Sequence, residues 1–394
     1  MAYTYMIRTF WQKYKKIIAL FFAVKIAFFA LILATYPLIP FSEYDYAING
    51  YHYEKAGDPL SRSLAAYDGQ WYLHIAQNGY SNFSTELEQK KSYAFFPLYP
   101  LLIAMFMPLF GGSPLAAALT ISFVGALASV ILLYAIASME MPSAAAKRSV
   151  WYFLIFPSSI FFSVAYTEAL FFALSLASIL CVRRGRFATA GLWAYLAALA
   201  RPQGVLLFFP LAIEWWQQHG RRPLNRSALK NLLSASAAPL GFATYYAYLV
   251  FITGNPFVYF QSNAQSWGRQ LGSLFDAAML IGDRLQRFAE IPFHSFQYSQ
   301  LDLVAMILFL GMSIVIVQRF RLSYAVYSIL LVVFPLLTGS TMSMIRYVAL
   351  SFPHFLLLGQ IGTRSKAMNA AITLISLWLT IQLWIRFVHW YWAG

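Results

Sequence analysis

Long apolar runs alternate along the chain with short basic patches, and most acidic residues lie outside the apolar runs. The runs are continuous, without a period-two pattern, so each predicts a helix rather than a barrel strand. Several reach about 18 uncharged residues, the length needed to cross a bilayer. Inside lipid, helices and closed barrels alone satisfy every backbone polar group. An all-α polytopic membrane protein, read as a single domain over 1–394, follows. The first span is expected over 17–39, with Lys25 snorkelling or facing the bundle. Another is expected over 114–138. Residues 150–182 and 187–217 read as hairpins whose tips carry "PSSIFFSVAYTE" and "ARPQG". Each arm has only about 13 to 17 residues, and interrupted pairs of that kind often line a cavity. Further spans are expected over 232–252, 301–317, 322–337, 347–359 and 368–387. The sum is about eleven spans.

Charge orients this arrangement. Of 394 residues, 60% are hydrophobic and 11% charged, yet the net charge is +14. The excess falls in clusters between apolar runs: Lys147/Arg148, Arg183/Arg184/Arg186, Arg221/Arg222/Arg226/Lys230, Arg319/Arg321 and Arg364/Lys366. Placing these in the cytoplasm obeys the positive-inside rule and removes any need for a nucleic-acid partner. Arg8, Lys13, Lys15 and Lys16 put the N-terminus on the same side, ahead of an uncleaved first helix. The 40–113 loop is then external, with interfacial helices; its 40–92 part holds half of the 14 acids: Glu43, Asp45, Glu54, Asp58, Asp68, Glu86 and Glu88. A second external segment covers 253–300. The run 92–112 is long enough to span, but crossing would reverse every later basic cluster. Pro97, Pro100 and Pro108 break its helix, so it is read as lying at the outer interface or dipping in and back. Trp378, Trp384, Trp390, Tyr391 and Trp392 suit an interfacial belt at the outer end of the last span. The lone Cys181 has no internal disulfide partner.

On this topology the unusual polar residues converge on the external face: Asp68, Glu168, Arg201, Arg346 and the stretch "NAQSWGR" with Gln265 and Arg269. Ionisable groups at membrane depth are expensive and mark function. Asp68 has two readings. It opens an amphipathic interfacial helix, or it is a general base beside sugar-stacking rings such as Tyr67 and Trp71. Glu168 caps the second arm of its hairpin, or binds a substrate hydroxyl or metal. With Asp68 it would supply two ligands to a hydrated divalent ion, Mg2+ or Mn2+. Arg201 and Arg346 anchor at the interface, or present guanidinium forks to a phosphate, with Arg269 as a weaker candidate. His74 lies off the face of Asp68 and reads as structural, with a substrate contact as its second reading; Asp45 beside Glu43 is a reserve acid. No Gly-rich phosphate loop, HExxH or CxxC occurs. A phosphate bound outside is therefore expected to be lipid-linked.

These stretches resemble the PIG-V family of mannosyltransferases, especially its bacterial members, among the membrane-embedded GT-C glycosyltransferases. The resemblance rests on "YDGQWYLHIAQNGY" (67–80), "AFFPLYPLL" (94–102), "FPSSIFFSVAYTEALFF" (156–172), "ARPQG" (200–204), "GNPFVYFQSNAQSWGR" (254–269) and "SMIRYVALSFPHF" (343–355), in the family's order. One departure is Tyr67, where the family usually has Trp before the acid. The resemblance implies a GT-C fold and inverting transfer of a hexose, usually mannose, from a polyprenyl-phosphate sugar to a glycolipid, glycan or protein hydroxyl. Asp68 would be the base, Glu168 would orient a metal or substrate, and Arg201 and Arg346 would hold the leaving phosphate. The chain's length implies a bacterial or archaeal inner membrane. A transporter or lipid flippase is the main alternative; it would distribute polar residues along a path instead of gathering them at one face.

Overall fold

The computed structural model describes residues 2–49, 59–80, 83, 85–220, 226–295 and 299–393. Glu54, Asp58, Arg221 and Arg222, which the sequence reading used, lie outside the described residues. Among the described residues the regular structure is entirely helical.

The long helix α1 (Ala2–Thr35) leads into three short helices of the first loop, α2 (Glu43–Asn49), α3 (Pro59–Ser63) and α4 (Asp68–Asn78). Next come α5 (Glu86–Ser92), α6 (Leu98–Phe106) and the long α7 (Pro114–Glu140). Two interrupted hairpins follow. α8 (Ser143–Leu154) and α9 (Glu168–Arg183) are joined through a 3-10 turn at Pro157–Phe162. α10 (Phe187–Ala200) and α11 (Phe208–His219) are joined through another at Pro202–Leu207. Proline opens each turn, as its missing N–H and fixed φ favour. α12 (Arg226–Ala235) and α13 (Ala237–Thr253) form one apolar unit bent by 47°. The second loop carries α14 (Val258–Trp267) and α15 (Leu274–Gln286). The chain ends with α16 (Gln300–Arg319), α17 (Leu322–Leu336), the short α18 (Met344–Val348), α19 (Phe352–Arg364) and α20 (Lys366–Val388).

Four of these helices are long and apolar enough to cross a bilayer: α1 over Thr9–Thr35, α7, α16 and α20; the bent α12–α13 unit makes a fifth. The hairpin arms, 12, 16, 14 and 12 residues long, are too short to span as straight helices. The run 92–112 contains only the nine-residue α6 and a 3-10 turn, about 14 Å of α-helix, and leaves Leu101, Met105 and Leu109 exposed. The span expected at 347–359 is displaced. Its chain turns at 349–351, and α19 begins at Phe352 with Pro353 in its first turn. The lysine of the first span faces inward: Lys25 Nζ donates to the Phe162 carbonyl and the Ser163 hydroxyl at the first hairpin tip.

Not every basic marker is a free surface charge. Arg183 pairs with Glu140, and Arg321 Nε lies 2.8 Å from Oε1 of the fully buried Glu214. Ser323 and Gln218 also donate to Glu214. This network ties the ends of α7, α9 and α11 to the start of α17. α10 and α13 meet through small residues, as helices in lipid do. A Cβ on Gly241 would lie 2.4 Å from the Tyr195 carbonyl oxygen. Gly241→Val is therefore expected to separate the pair and destabilise the protein by about 1–3 kcal/mol, read as a lowered thermal midpoint in detergent; an unchanged midpoint would show that the helices absorb the added bulk.

Candidate functional site

The two hairpin tips and α18 deliver the site. Glu168 is the first residue of α9, and Arg201 is the residue that ends α10. Arg346 lies within α18. Asp68 opens α4, so the helix-start reading of that acid is correct in position. Its neighbour must be small, because a Cβ on Gly69 would sit 3.2 Å from the Ala165 carbonyl oxygen. Gly69 thus lets α4 rest on the first hairpin tip. The Ala165 N–H bonds the Leu64 carbonyl (3.0 Å), and the Tyr166 hydroxyl donates to the Ala66 carbonyl (2.9 Å) and accepts from the Asp68 N–H (3.1 Å).

These contacts bring two acids and two arginines together. Arg346 Nη2 lies 3.0 Å from Asp68 Oδ2 and 2.7 Å from Glu168 Oε1. Arg346 Nε donates to the same Glu168 oxygen at 3.0 Å. Arg201 Nη1 lies 2.8 Å from it and donates to the Thr167 hydroxyl oxygen at 2.9 Å. Glu168 Oε1 thus accepts two hydrogen bonds from Arg346 and an ion-pair contact from Arg201, while its buried Oε2 has no hydrogen-bond partner among the described residues. Two carboxylates face two guanidiniums, so the group is neutral as a whole. Phe161 and Tyr166 cover the Arg346 guanidinium, their ring centres 4.5 and 5.0 Å away.

The exposure is graded. Glu168 is fully buried, Arg201 and Arg346 are nearly so, and the Asp68 side chain keeps 22% of its surface. Asp68, Arg201 and Arg346 line a cavity of about 670 Å3, and Glu168 lies behind them. Tyr72, Arg269 and Trp392 share the wall. Arg269 donates to the Thr338 hydroxyl and the Met342 carbonyl, each at 3.1 Å, and no carboxylate pairs with it among the described residues. Tyr347 stands between Arg201 and Arg269, 6.0 and 5.6 Å from its ring centre.

Other expected residues lie elsewhere. Trp71 is buried behind the wall, stacked on Phe95 at 5.4 Å. His74 packs on Phe83. Gln265 is exposed on α14 and does not line the cavity. Asp45 accepts from the Ser42 hydroxyl in α2. Tyr67 is structural: its hydroxyl donates to the Trp390 carbonyl. Burial, with Asp45 adding to it, pushes that phenol far above its ordinary value, so it stays a donor. Tyr67 also has φ 54°, a conformation rare for a bulky side chain, immediately before Asp68. As arranged, Asp68 and Glu168 converge on Arg346 and not on a shared ion position, and no cluster of three His, Cys, Asp or Glu side chains occurs among the described residues. Tyr72, Thr167, Gln203 and Trp392 were missed. "ARPQG" held the signal for Gln203, whereas Trp392 belongs to the aromatic run assigned to an interfacial belt.

Comparisons with known proteins identify the family and the fold. The family model "Mannosyltransferase (PIG-V)" matches residues 52–264, more than half of the chain. No curated protein matches in sequence. Among solved structures, ArnT from Cupriavidus metallidurans bound to undecaprenyl phosphate aligns with a TM-score of 0.50 at 12% identity, covering 89% of this chain and 62% of that one. The Archaeoglobus fulgidus oligosaccharyltransferase in its apo form gives 0.48 at 13%, covering 95% and 56%. The same enzyme in complex with Zn and sulfate gives 0.41 at 12%, covering 76% and 45%. This chain therefore spans less than two thirds of those proteins, and the first likeness establishes a shared GT-C fold.

Glu168→Ala would leave the buried Arg201 without a carboxylate and Arg346 with Asp68 alone. Its expected effect is a loss of about 3–5 kcal/mol, measured by chemical or thermal unfolding, with Glu168→Gln losing less because it keeps an acceptor. Equal stability of Glu168→Ala and wild type would contradict the charge pairing.

Proposed function

The chain belongs to the PIG-V mannosyltransferase family, and on that premise we propose that it moves mannose from a polyprenyl-phosphate donor to an acceptor hydroxyl on the external face of the membrane. It is an integral-membrane glycosyltransferase. The observation that carries the finer reading is Asp68: a carboxylate with open surface on a cavity wall, bridged by the Arg346 guanidinium to the buried carboxylate of Glu168.

In the proposed reaction the acceptor oxygen attacks the anomeric carbon from the side opposite the phosphate. Asp68 takes the hydroxyl proton as the new C–O bond forms. The bond between the anomeric carbon and the phosphate oxygen breaks, its electron pair leaves with the polyprenyl phosphate, and the configuration inverts. Arg201 and Arg346, preorganised by Glu168, meet the charge that grows on that phosphate. Arg346 now touches Asp68; a donor phosphate competes for the same guanidinium and frees the acid to act as base. Arg269, whose charge is unpaired among the described residues, favours the approach of an anion. Trp267 and Trp392 offer faces for a sugar ring, and Phe257 and Phe260 give the cavity an apolar side suited to a prenyl chain. The undecaprenyl phosphate bound by ArnT supports a lipid-linked donor. A glycolipid, a glycan or a protein side chain fits as acceptor. A divalent cation is not required to balance the cluster, and no step is assigned to one.

The test is transfer of label from polyprenyl-phosphate mannose by the purified protein in lipid, supplied with a lipid and glycan extract, with and without chelator. Wild type is expected to form a new labelled product. Asp68→Asn is expected to fold with a near wild-type midpoint and to lose at least about a hundredfold in turnover. Normal turnover by that variant would remove Asp68 as base. Movement of the lipid-linked sugar across the bilayer, with no covalent product from any hexose donor, would favour the transporter reading.

A further inference from the structure

Arg346 is carried by α18, a helix of only five residues. So short a helix does not sustain itself. Its leading residue Ser343 has φ 62°, in the left-handed region that is unfavourable for a side chain. Something outside the segment must hold it. Apolar anchoring is one part, since Met344, Ile345 and Val348 are buried. The other part is polar and directional. The Ile345 N–H donates to Asp302 Oδ1 at 2.9 Å, and the Ile345 carbonyl accepts from the Ser158 hydroxyl at 2.9 Å. Both polar groups of the residue just before Arg346 are therefore gripped by side chains from two different elements.

Neither gripping residue touches the cavity. Asp302 is 2% exposed in the first turn of α16, and Ser158 is fully buried in the first hairpin tip. Asp302 is itself fixed: its Oδ2 accepts from the Ser299 hydroxyl at 2.8 Å, while its own N–H donates to Ser299 Oγ at 3.1 Å. A carboxylate buried at a helix start is favoured by the dipole and by these donors. We propose that Asp302 and Ser158 are positioning residues, a two-sided backbone clamp on Ile345 that sets the guanidinium of Arg346 for a phosphate ligand. The proposal rests on the phosphate-binding reading of Arg346 given above. A displacement of about 1 Å at such a group is enough to lose roughly a hundredfold in rate.

The clamp predicts that geometry, not charge, is what matters at Asp302. An asparagine oxygen still accepts from the Ile345 N–H, and the Ser299 hydroxyl can turn to accept from the amide. Asp302→Asn is thus expected to rescue what Asp302→Ala loses.

The experiment uses the full chain in lipid nanodiscs and compares wild type with Asp302→Ala, Asp302→Asn, Ser158→Ala and Arg346→Lys. Ser365→Ala, which removes the cap of α20 far from the site in sequence, controls for a plain capping loss. Hydrogen exchange of the peptide covering 343–348 reads the clamp whatever the protein binds. Binding of radiolabelled undecaprenyl phosphate and the split between KM and kcat read its consequence. Asp302→Ala and Ser158→Ala are expected to speed exchange in that peptide and raise the dissociation constant and the donor KM about tenfold. Their thermal midpoints should fall no further than that of Ser365→Ala, and Asp302→Asn should stay near wild type. Unchanged exchange in Asp302→Ala would overturn the clamp. Faster exchange with unchanged binding would reduce it to a stabilising contact and overturn positioning. If wild type binds no undecaprenyl phosphate, the phosphate reading falls, and the positioning of Arg346 for phosphate falls with it, while the exchange data still decide whether the clamp exists.

Discussion

A single carboxylate oxygen, Glu168 Oε1, takes two hydrogen bonds from Arg346 and the ion pair of Arg201 away from water. Removing any of these charges alone would leave the others uncompensated at low dielectric. That constraint explains much of the architecture. The first hairpin must stop short so that Glu168 can start α9. The second must stop at a matching depth so that Arg201 can end α10. α18 must be interrupted from α19 so that Arg346 can face both. Broken backbone is tolerated at these points because it lines a cavity within the protein rather than lipid.

Strain gathers around the same place. Tyr67 and Ser343, two of the three non-glycine residues with positive φ among the described residues, lie one and three positions before Asp68 and Arg346. The third, Trp390, receives the hydroxyl hydrogen bond from Tyr67. Such conformations persist only where surrounding contacts over-determine them. Here the contacts are identifiable: the Tyr67–Trp390 bond and the Trp392 ring at 5.1 Å on one side, the Asp302 and Ser158 hydrogen bonds on the other. Trp390 and Trp392, expected in an interfacial belt, are therefore buried against Tyr67 and belong to the support and wall of the site.

Much of this was legible in the residue pattern. Apolar runs announced the helices, and prolines with polar tips announced the two interrupted hairpins and the break in the 92–112 run. The expense of burying charge singled out Asp68, Glu168, Arg201 and Arg346, which the fold brings within hydrogen-bond reach. The rest depended on long-range packing. Nothing local marks Trp71 as a buried ring and Trp392 as a cavity ring, because both sit in aromatic stretches. Asp302, a first-turn acid of α16, was not singled out, because its bond to Ile345, across 43 positions, has no sequence signature. Charge counting treated Arg183 and Arg321 as surface markers, although Glu140 and Glu214 neutralise them.

That last network bears on how the chain holds together. Glu140, Arg183 and Glu214 come in that order along the chain and together leave one negative charge unmatched. Arg321 arrives more than a hundred residues later and completes neutrality through Glu214. The ion pairs that fasten the finished bundle thus tie both hairpins to a helix from the other half of the sequence, so that the neutral state of this network exists only in the complete fold.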